Sequence, residues 1–188
     1  MVKIVPAVED DISRIAEIET DAFAPPWTVG ALLSELYRED SFFAVACISA
    51  SEKTTVSSSR NPECDARIQN SGVRSQNSCV RFADGYNLPH SRAVPVGFVI
   101  LRCIADDGEL LQIAVDRDAR RCGVADLLMN AALEYAQEEK IKAVFLEVRK
   151  SNDAAVALYK KHGFKSVRLR KDYYSNPLED ALVLVREL

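Results

Sequence analysis

Hydrophobic positions along the chain follow two periods, and the switches between them mark out the elements. KIVPA (3–7) reads as a first strand. In EDDISRIAEIETDAF (9–23), Ile12, Ile15, Ala16 and Ile18 fall on one helical stripe with Glu19. PPWT breaks that helix, and Thr28 is placed to cap the next one, 29–39. FFAVACIS (42–49), VPVGFVILRCI (94–104) and ELLQIAV (109–115) are buried-strand candidates, the last two joined by the turn ADDG (105–108). A helix follows over 124–139, with Val124, Leu127, Leu128, Ala131 and Tyr135 expected on its apolar face. AVFLEVR (143–149) is a strand. The helix 151–163 has Ser151, Asn152 or Asp153 as its cap and Gly163 as its left-handed stop. Strands at 164–170 and 181–188 end the chain. The order of strand, two helices, three strands, helix, strand, helix and two strands predicts an α/β fold with a mixed sheet flanked by helices.

Between the second and third strands the pattern stops. Residues 50–92 are rich in Ser, Asn and Arg and poor in periodic apolar residues. This composition predicts a flexible insertion within a single domain spanning 1–188.

Composition narrows the function classes. With 48% apolar residues the 188-residue chain can bury a real core, and its net charge of −4 speaks against a nucleic-acid partner. No run of about 18 apolar residues predicts a membrane span. The opening MVKIVPAVEDD lacks an apolar leader, so a mature cytoplasmic protein is expected. Cys47, Cys64, Cys79, Cys103 and Cys122 are scattered without a CxxC pair, which predicts reduced thiols and no metal site.

Candidate chemistry concentrates at two places. DRDARRCGVADLLM (116–129) sits between a strand and a helix. The first N–H groups of a helix lack backbone acceptors, and its dipole favours an anion there. Gly123 and Ala125 leave room for close approach, and Arg120 and Arg121 add charge. The junction is therefore either a phosphate cradle or simply a charged turn; it carries no Walker or G-x-G-x-x-G signature. Further on, Glu147 interrupts an apolar strand and Tyr159 lies on the helical stripe of Ala155 and Leu158. Taken alone, Glu147 reads as an outward strand residue paired with Arg149 or a lysine, and Tyr159 as a core tyrosine.

Together these segments resemble the GCN5-related N-acetyltransferases (GNAT). RRCGVA (120–125) satisfies the family's acetyl-CoA loop [QR]-x-x-G-x-[GA]. LLQIAVDRDARRCGVADLLM, LEVRKSNDAAVALYKKHGF, RKDYYSNPLEDALVL and PPWT look most like the ribosomal-protein-alanine N-acetyltransferase (RimI-type) subfamily. The likeness covers most of the chain outside 50–92. It departs from the family pattern at Ala125, where the second glycine stands, at Asp126, where a basic residue is usual, and in the insertion.

The resemblance implies a mostly antiparallel sheet and acetyl-CoA as acetyl donor. It implies that Ile113, Ala114 and Val115 offer backbone groups to the acetyl and pantetheine portion. Arg120, Arg121, Cys122, Gly123, Val124, Ala125 and Asp126 would surround the pyrophosphate, with Asn152 hydrogen-bonding the cofactor. Glu147 would be the general base and Tyr159 the general acid. Tyr173, Tyr174, Glu179 and Asp180 of DYYSNPLED (172–180) would line a channel for a basic N-terminal peptide. Such an enzyme needs a base because amines are mostly protonated near neutral pH. It needs no covalent intermediate, so Cys122 is expected to fill space only. The implied activity is acetylation of a protein N-terminus, an N-terminal alanine of a ribosomal protein, without nucleic acid or membrane. The alternatives are a lysine or small-amine acetyltransferase and a non-catalytic acyl-CoA-binding module.

Overall fold

The expected alternation of strands and helices is present in a computed structural model, which describes residues 2–49 and 93–188. Strand β1 (Val2–Pro6) leads through a short 3-10 turn into helices α1 (Ile12–Ala22) and α2 (Val29–Leu36). Strands β2 (Ser41–Ser49), β3 (Ala93–Ile104) and β4 (Asp107–Val115) follow, then helix α3 (Val124–Glu138), strand β5 (Ala143–Arg149) and helix α4 (Asp153–Lys161). Strands β6 (Lys165–Ser175) and β7 (Leu178–Glu187) close the chain. The residues expected to form an insertion, 50–92, lie outside the described residues.

The strands form one mixed sheet in the order β1-β2-β3-β4-β5-β7-β6. Each neighbouring pair is antiparallel except β4 and β5, which run parallel. That parallel ladder is short. Asp107, Gly108 and Glu109 pair with Ala143, Val144 and Phe145, and beyond them the two strands part. The sheet is therefore split at its centre, toward the C-terminal ends of β4 and β5.

Both faces of the β1–β4 half of the sheet are covered, whereas β6 is exposed along nearly its whole length. On one side α3 and α4 pack Leu128, Met129, Leu133 and Tyr159 against Leu101, Val144, Leu146 and Leu184. On the other, Ile15 and Ile18 of α1 and Leu32 of α2 meet Phe43, Val45, Phe98 and Ile100. Full burial of one such side chain is worth about 1.5–3 kcal/mol, and the α3–α4 layer, which touches both β3 and β5, holds the halves of the split sheet together.

Local signals operate as their chemistry requires. The Thr28 hydroxyl accepts from the Ala31 N–H at 3.2 Å and starts α2. Asn152, among the three candidate caps, accepts from Ala155 N–H at 3.1 Å and starts α4. Gly163, at φ +83°, ends the turn after it. Three expectations shift. The buried stripe of α3 is Val124, Leu128, Met129, Ala132, Leu133 and Ala136; Leu127, Ala131 and Tyr135 are only half-buried. The helix meets a twisted sheet, and the contact line moves one residue around its axis. Strand β6 runs to Ser175 rather than ending near 170, and β7 starts at Leu178, so most of DYYSNPLED is a β-hairpin rather than a loop. Cross-strand pairing of Tyr174 with Glu179 sustains this extension, although nothing in its polar sequence announces a strand.

One close approach is fixed by glycine. A Cβ on Gly97 would lie 2.8 Å from the Ala114 carbonyl oxygen and 3.2 Å from Leu128, so the end of β4 can sit tight on β3 only with glycine there. Gly97→Ala is expected to cost about 1–3 kcal/mol of stability, measured by denaturant unfolding. The ends of the 50–92 segment also yield an expectation. Ser49 and Ala93 are direct cross-strand partners. A chain in which a short turn replaces residues 53–90 is expected to fold with a melting temperature within a few degrees of the parent. A large fall, or an insoluble product, would show that the segment contributes to packing.

Candidate active site

Where β4 and β5 part, a cleft of about 930 Å³ opens. One wall is the outer half of β4, and the facing wall is the end of β5 with the start of α4. The loop before α3 closes one end, and Phe23 and Trp27, between α1 and α2, close another. Tyr173 and Tyr174 of the β6–β7 hairpin form a further rim.

Backbone direction along β4 follows from its ladder. Asp116 N–H donates to Val96 O at 2.8 Å, so the adjacent Gly97–Val115 pair is the non-bonded kind. The N–H of Val115 therefore turns away from β3, toward the split, as does that of Ile113 two residues earlier. Among the described residues no strand answers them there, since the pairing with β5 ends at Glu109. The Val115 carbonyl on the same edge is taken by Arg120 Nε at 2.9 Å.

The loop between β4 and α3 is built from left-handed turns. Arg121 has φ +65° and Gly123 φ +75°, conformations that aim successive N–H groups into one concavity. Gly123 is the N-cap of α3 and has no side chain to cap it. Among the described residues no side chain caps the first-turn N–H groups of α3 at the cleft, which Gly123, Val124, Ala125 and Asp126 line. Two charges expected here behave differently. Arg121 is exposed and has no ion-pair partner among the described residues. Arg120 is engaged instead, with Val115 O and with Asp21 Oδ2 at 3.1 Å, and fastens the loop to β4 and α1. The acid in the first turn of α3 is turned aside. Asp126 meets Lys161 Nζ at 2.7 Å and His162 Nε2 at 2.9 Å. Burial raises its carboxyl, but these two partners outweigh that and hold it below the usual range.

Glu147 and Tyr159 line the same cleft. Glu147 points to the face opposite Leu146 and Val148, and its side chain is 25% exposed. Its partner is Arg170 on β6, rather than Arg149 or a lysine. Arg149 pairs with Glu179 at 3.1 Å and lies over the Tyr174 ring at 4.1 Å. Arg170 lies over the Tyr173 ring at 4.9 Å. A hydrogen bond to Glu147 pushes the Tyr173 phenol above its ordinary value, and partial burial adds to this. Tyr159 is buried edge-on against Phe164, and burial raises its phenol strongly.

The cleft thus gathers Ile113, Ala114, Val115, Arg120, Arg121, Gly123, Val124, Ala125, Asp126, Glu147, Asn152, Tyr159, Tyr173 and Tyr174. It leaves out three of the expected residues. Cys122 packs toward the core beside α3. Glu179 accepts from Ser151 N–H at 2.7 Å and supports Arg149, and Asp180 accepts from Asp172 N–H at 3.1 Å; both brace the hairpin. Sequence reasoning missed Arg170, Phe23 and Trp27. Arg170 reaches Glu147 from the far side of β7, a neighbour relation that only sheet order creates.

This geometry meets its counterpart among known proteins. The profile of the acetyltransferase (GNAT) family matches residues 13–164. The chain belongs to this family. Within it, the chain is 27% identical over 170 residues to a [ribosomal protein bS18]-alanine N-acetyltransferase of Haemophilus ducreyi, covering 90% of this chain and 87% of that one. It is 35% identical over 89 residues to the protein of that name from Escherichia coli K12, covering 46% of this chain. That match spans 60% of the length of the relative. In fold the chain is similar to the ribosomal-protein-S18-alanine N-acetyltransferase structure from Escherichia coli, with TM-score 0.69, 23% identity and coverage of 100% and 94% of the two chains. It is also similar to Arabidopsis thaliana NAA60 in complex with acetyl-CoA, with TM-score 0.70, 18% identity and coverage of 100% and 99%. Family membership places the split sheet within a known architecture.

The loop geometry carries a test. Gly123→Glu puts bulk and negative charge in a left-handed position at the mouth of the α3 N-terminus. Calorimetric titration is expected to show coenzyme A binding to the parent and at least a hundredfold weaker binding to the variant. The pantetheine fragment alone should bind the parent more weakly than coenzyme A, and equal affinity for the two would remove the phosphate role of this loop.

Proposed function

We propose that this protein transfers an acetyl group from acetyl-CoA to the α-amino group of a protein N-terminus, with an N-terminal alanine of a ribosomal protein as the natural acceptor. The observation that carries the reading is a single cleft lined by an uncapped helix N-terminus and by Glu147 with Tyr159. The family and the names of the relatives support it.

The residues divide the work. The α3 N-terminus with Gly123 and Arg121 suits a pyrophosphate, by N–H groups without a side-chain acceptor among the described residues, the helix dipole and the exposed Arg121 guanidinium. Asn152 offers its side-chain amide at the opposite lip, since its Oδ1 alone is used in capping α4. Acetyl-CoA, when bound, supplies the acetyl group as an activated thioester. The Val115 N–H, directed into the split, is a donor for negative charge developing on a carbonyl oxygen. Glu147 accepts a proton from the acceptor's ammonium, directly or through one water, and so frees the lone pair that attacks. Tyr159 keeps its proton across the working pH range because burial raises its phenol, and it presents that proton to the departing sulfur. Tyr173 and Tyr174 flank the acceptor's path.

Kinetics separate these roles. With an alanine-initiated peptide, Glu147→Gln is expected to lower turnover by about 10²–10⁴-fold while coenzyme A affinity stays nearly constant. The parent gains rate as pH rises and the amine deprotonates. The Glu147→Gln protein should need a higher pH to recover, because only free amine reacts there. Tyr159→Phe should lose rate without the same displacement of the pH profile. A parent-like profile in Glu147→Gln would move the base to Glu109, which also lines the cleft. A mass-spectrometric screen of N-terminal peptides, free lysine and polyamines tests the acceptor. Preference for lysine or a polyamine would reassign the substrate, and binding without turnover of any amine would make the protein an acyl-CoA-binding module.

A further inference from the structure

Glu19 is a carboxyl group that the proposed chemistry does not use, and it is 0% exposed in the layer between α1 and the sheet. Its Oε1 accepts from the Trp27 N–H at 2.8 Å and from Gln112 Nε2 at 2.8 Å. Gln112, on β4, is itself buried, and both it and Trp27 line the cleft. The remaining oxygens, Glu19 Oε2 and Gln112 Oε1, are both buried without a hydrogen-bond partner among the described residues. An ionised Glu19 makes both of them acceptors with no donor between them. A proton on Oε2 converts one into a donor, and a carboxylic acid and a primary amide can then pair through two bonds.

We propose that Glu19 is a neutral carboxylic acid in a two-bond pair with Gln112, and that this pair is a positioning device that fixes the Phe23–Trp27 wall of the cleft against β4. Gln112 Nε2–H donates to Glu19 Oε1, and Glu19 Oε2–H donates to Gln112 Oε1. The Trp27 N–H hangs from the same Oε1, so the pair ties the loop after α1 to the strand whose edge faces the reacting groups. Burial favours the same protonation state, raising the carboxyl above its ordinary value against the two hydrogen bonds that lower it.

The charges on neighbouring elements are committed elsewhere. On α1, Arg14 pairs with Glu17 and Asp116, and Asp21 pairs with Arg117 and Arg120. Glu35 of α2 pairs with Arg102 of β3. Asp107 and Glu109 of β4 are exposed, and the loop over 23–28 carries no titratable group. None of these cations is hydrogen-bonded to Glu19, so no charge on these elements holds it ionised by direct contact.

The positioning role rests on the acetyltransferase reading, but the protonation state does not, and the two are measured separately. The infrared difference between the parent and Glu19→Gln at about pH 6, where an ordinary glutamate is ionised, should contain a protonated-carboxyl band that fades as pH rises. A carboxylate signal alone, as from an ionised Glu19 bridged to Gln112 by water, would overturn the proposal. With a folded-state value above the unfolded one, stability is complete below the unfolded value and is lost as pH rises through the folded value. The parent's melting temperature should therefore fall with pH relative to that of Glu19→Gln, which has no proton to lose. Glutamine keeps both bonds of the pair, so Glu19→Gln should hold the acceptor KM within about twofold. Glu19→Ala should raise it roughly tenfold with coenzyme A affinity unchanged. A tenfold rise in Glu19→Gln itself would overturn the neutral pair. If Glu19→Ala does not fold, the infrared band and the Glu19→Gln kinetics still decide.

Discussion

Everything at the candidate active site depends on the short parallel ladder between β4 and β5. Three residue pairs hold the strands together at one end, and the absence of pairing beyond Glu109 and Phe145 splits the sheet. An unpaired edge at the centre of a sheet is normally a liability, because it exposes unanswered N–H and C=O groups. Here part of the edge is answered internally, by Arg120 on the Val115 carbonyl, and the rest faces the cleft. The split survives because one continuous core beneath α3 and α4 joins the two halves of the sheet. Helices α1 and α2 cover the β1–β4 half, and α3 bridges toward β5 on the opposite face.

The two ends of the cleft are electrostatically distinct. At the α3 end, positive character comes from backbone N–H groups and Arg121, while the acid in the first turn of α3, Asp126, is paired with Lys161 and His162. At the β5 end, Glu147 and Arg170 form an ion pair edged by Tyr173, and Arg149, Glu179 and Tyr174 form a second cluster alongside. Each cluster joins one β5 residue, Glu147 or Arg149, to residues of the β6–β7 hairpin, so the hairpin's geometry sets what surrounds Glu147. Glu179 and Asp180, expected to touch an acceptor, lie outside the cleft lining and accept from the Ser151 and Asp172 N–H groups. Their charges are spent on Arg149 and on backbone N–H groups before any ligand arrives.

Much of this was legible along the chain. Element order, the Thr28 cap, the Gly163 stop and the glycine at the start of α3 are local matters, decided within one turn of helix by hydrogen-bonding and steric needs. The face of α3 was misjudged by one residue because an amphipathic pattern defines a wide stripe, and the sheet beneath chooses which edge of it is buried. The length of β6 was missed because polar residues become strand when a partner strand supplies the ladder.

By itself the sequence determined the mixed α/β order, the junction of strand, arginine–glycine loop and helix, and the residue types of a cleft able to handle an anion and a proton. These follow from short-range periodicity and from chemistry carried within a few positions. Only the tertiary structure decided which partner each charge meets. Arg170 reaches Glu147 across β7, Arg120 turns back to Val115 and Asp21, and Glu19 finds Gln112 some 93 positions away. Sheet order and helix packing set those distances. A side chain's charge states its need for a partner but not its address, so such pairings become visible only when the chain is folded.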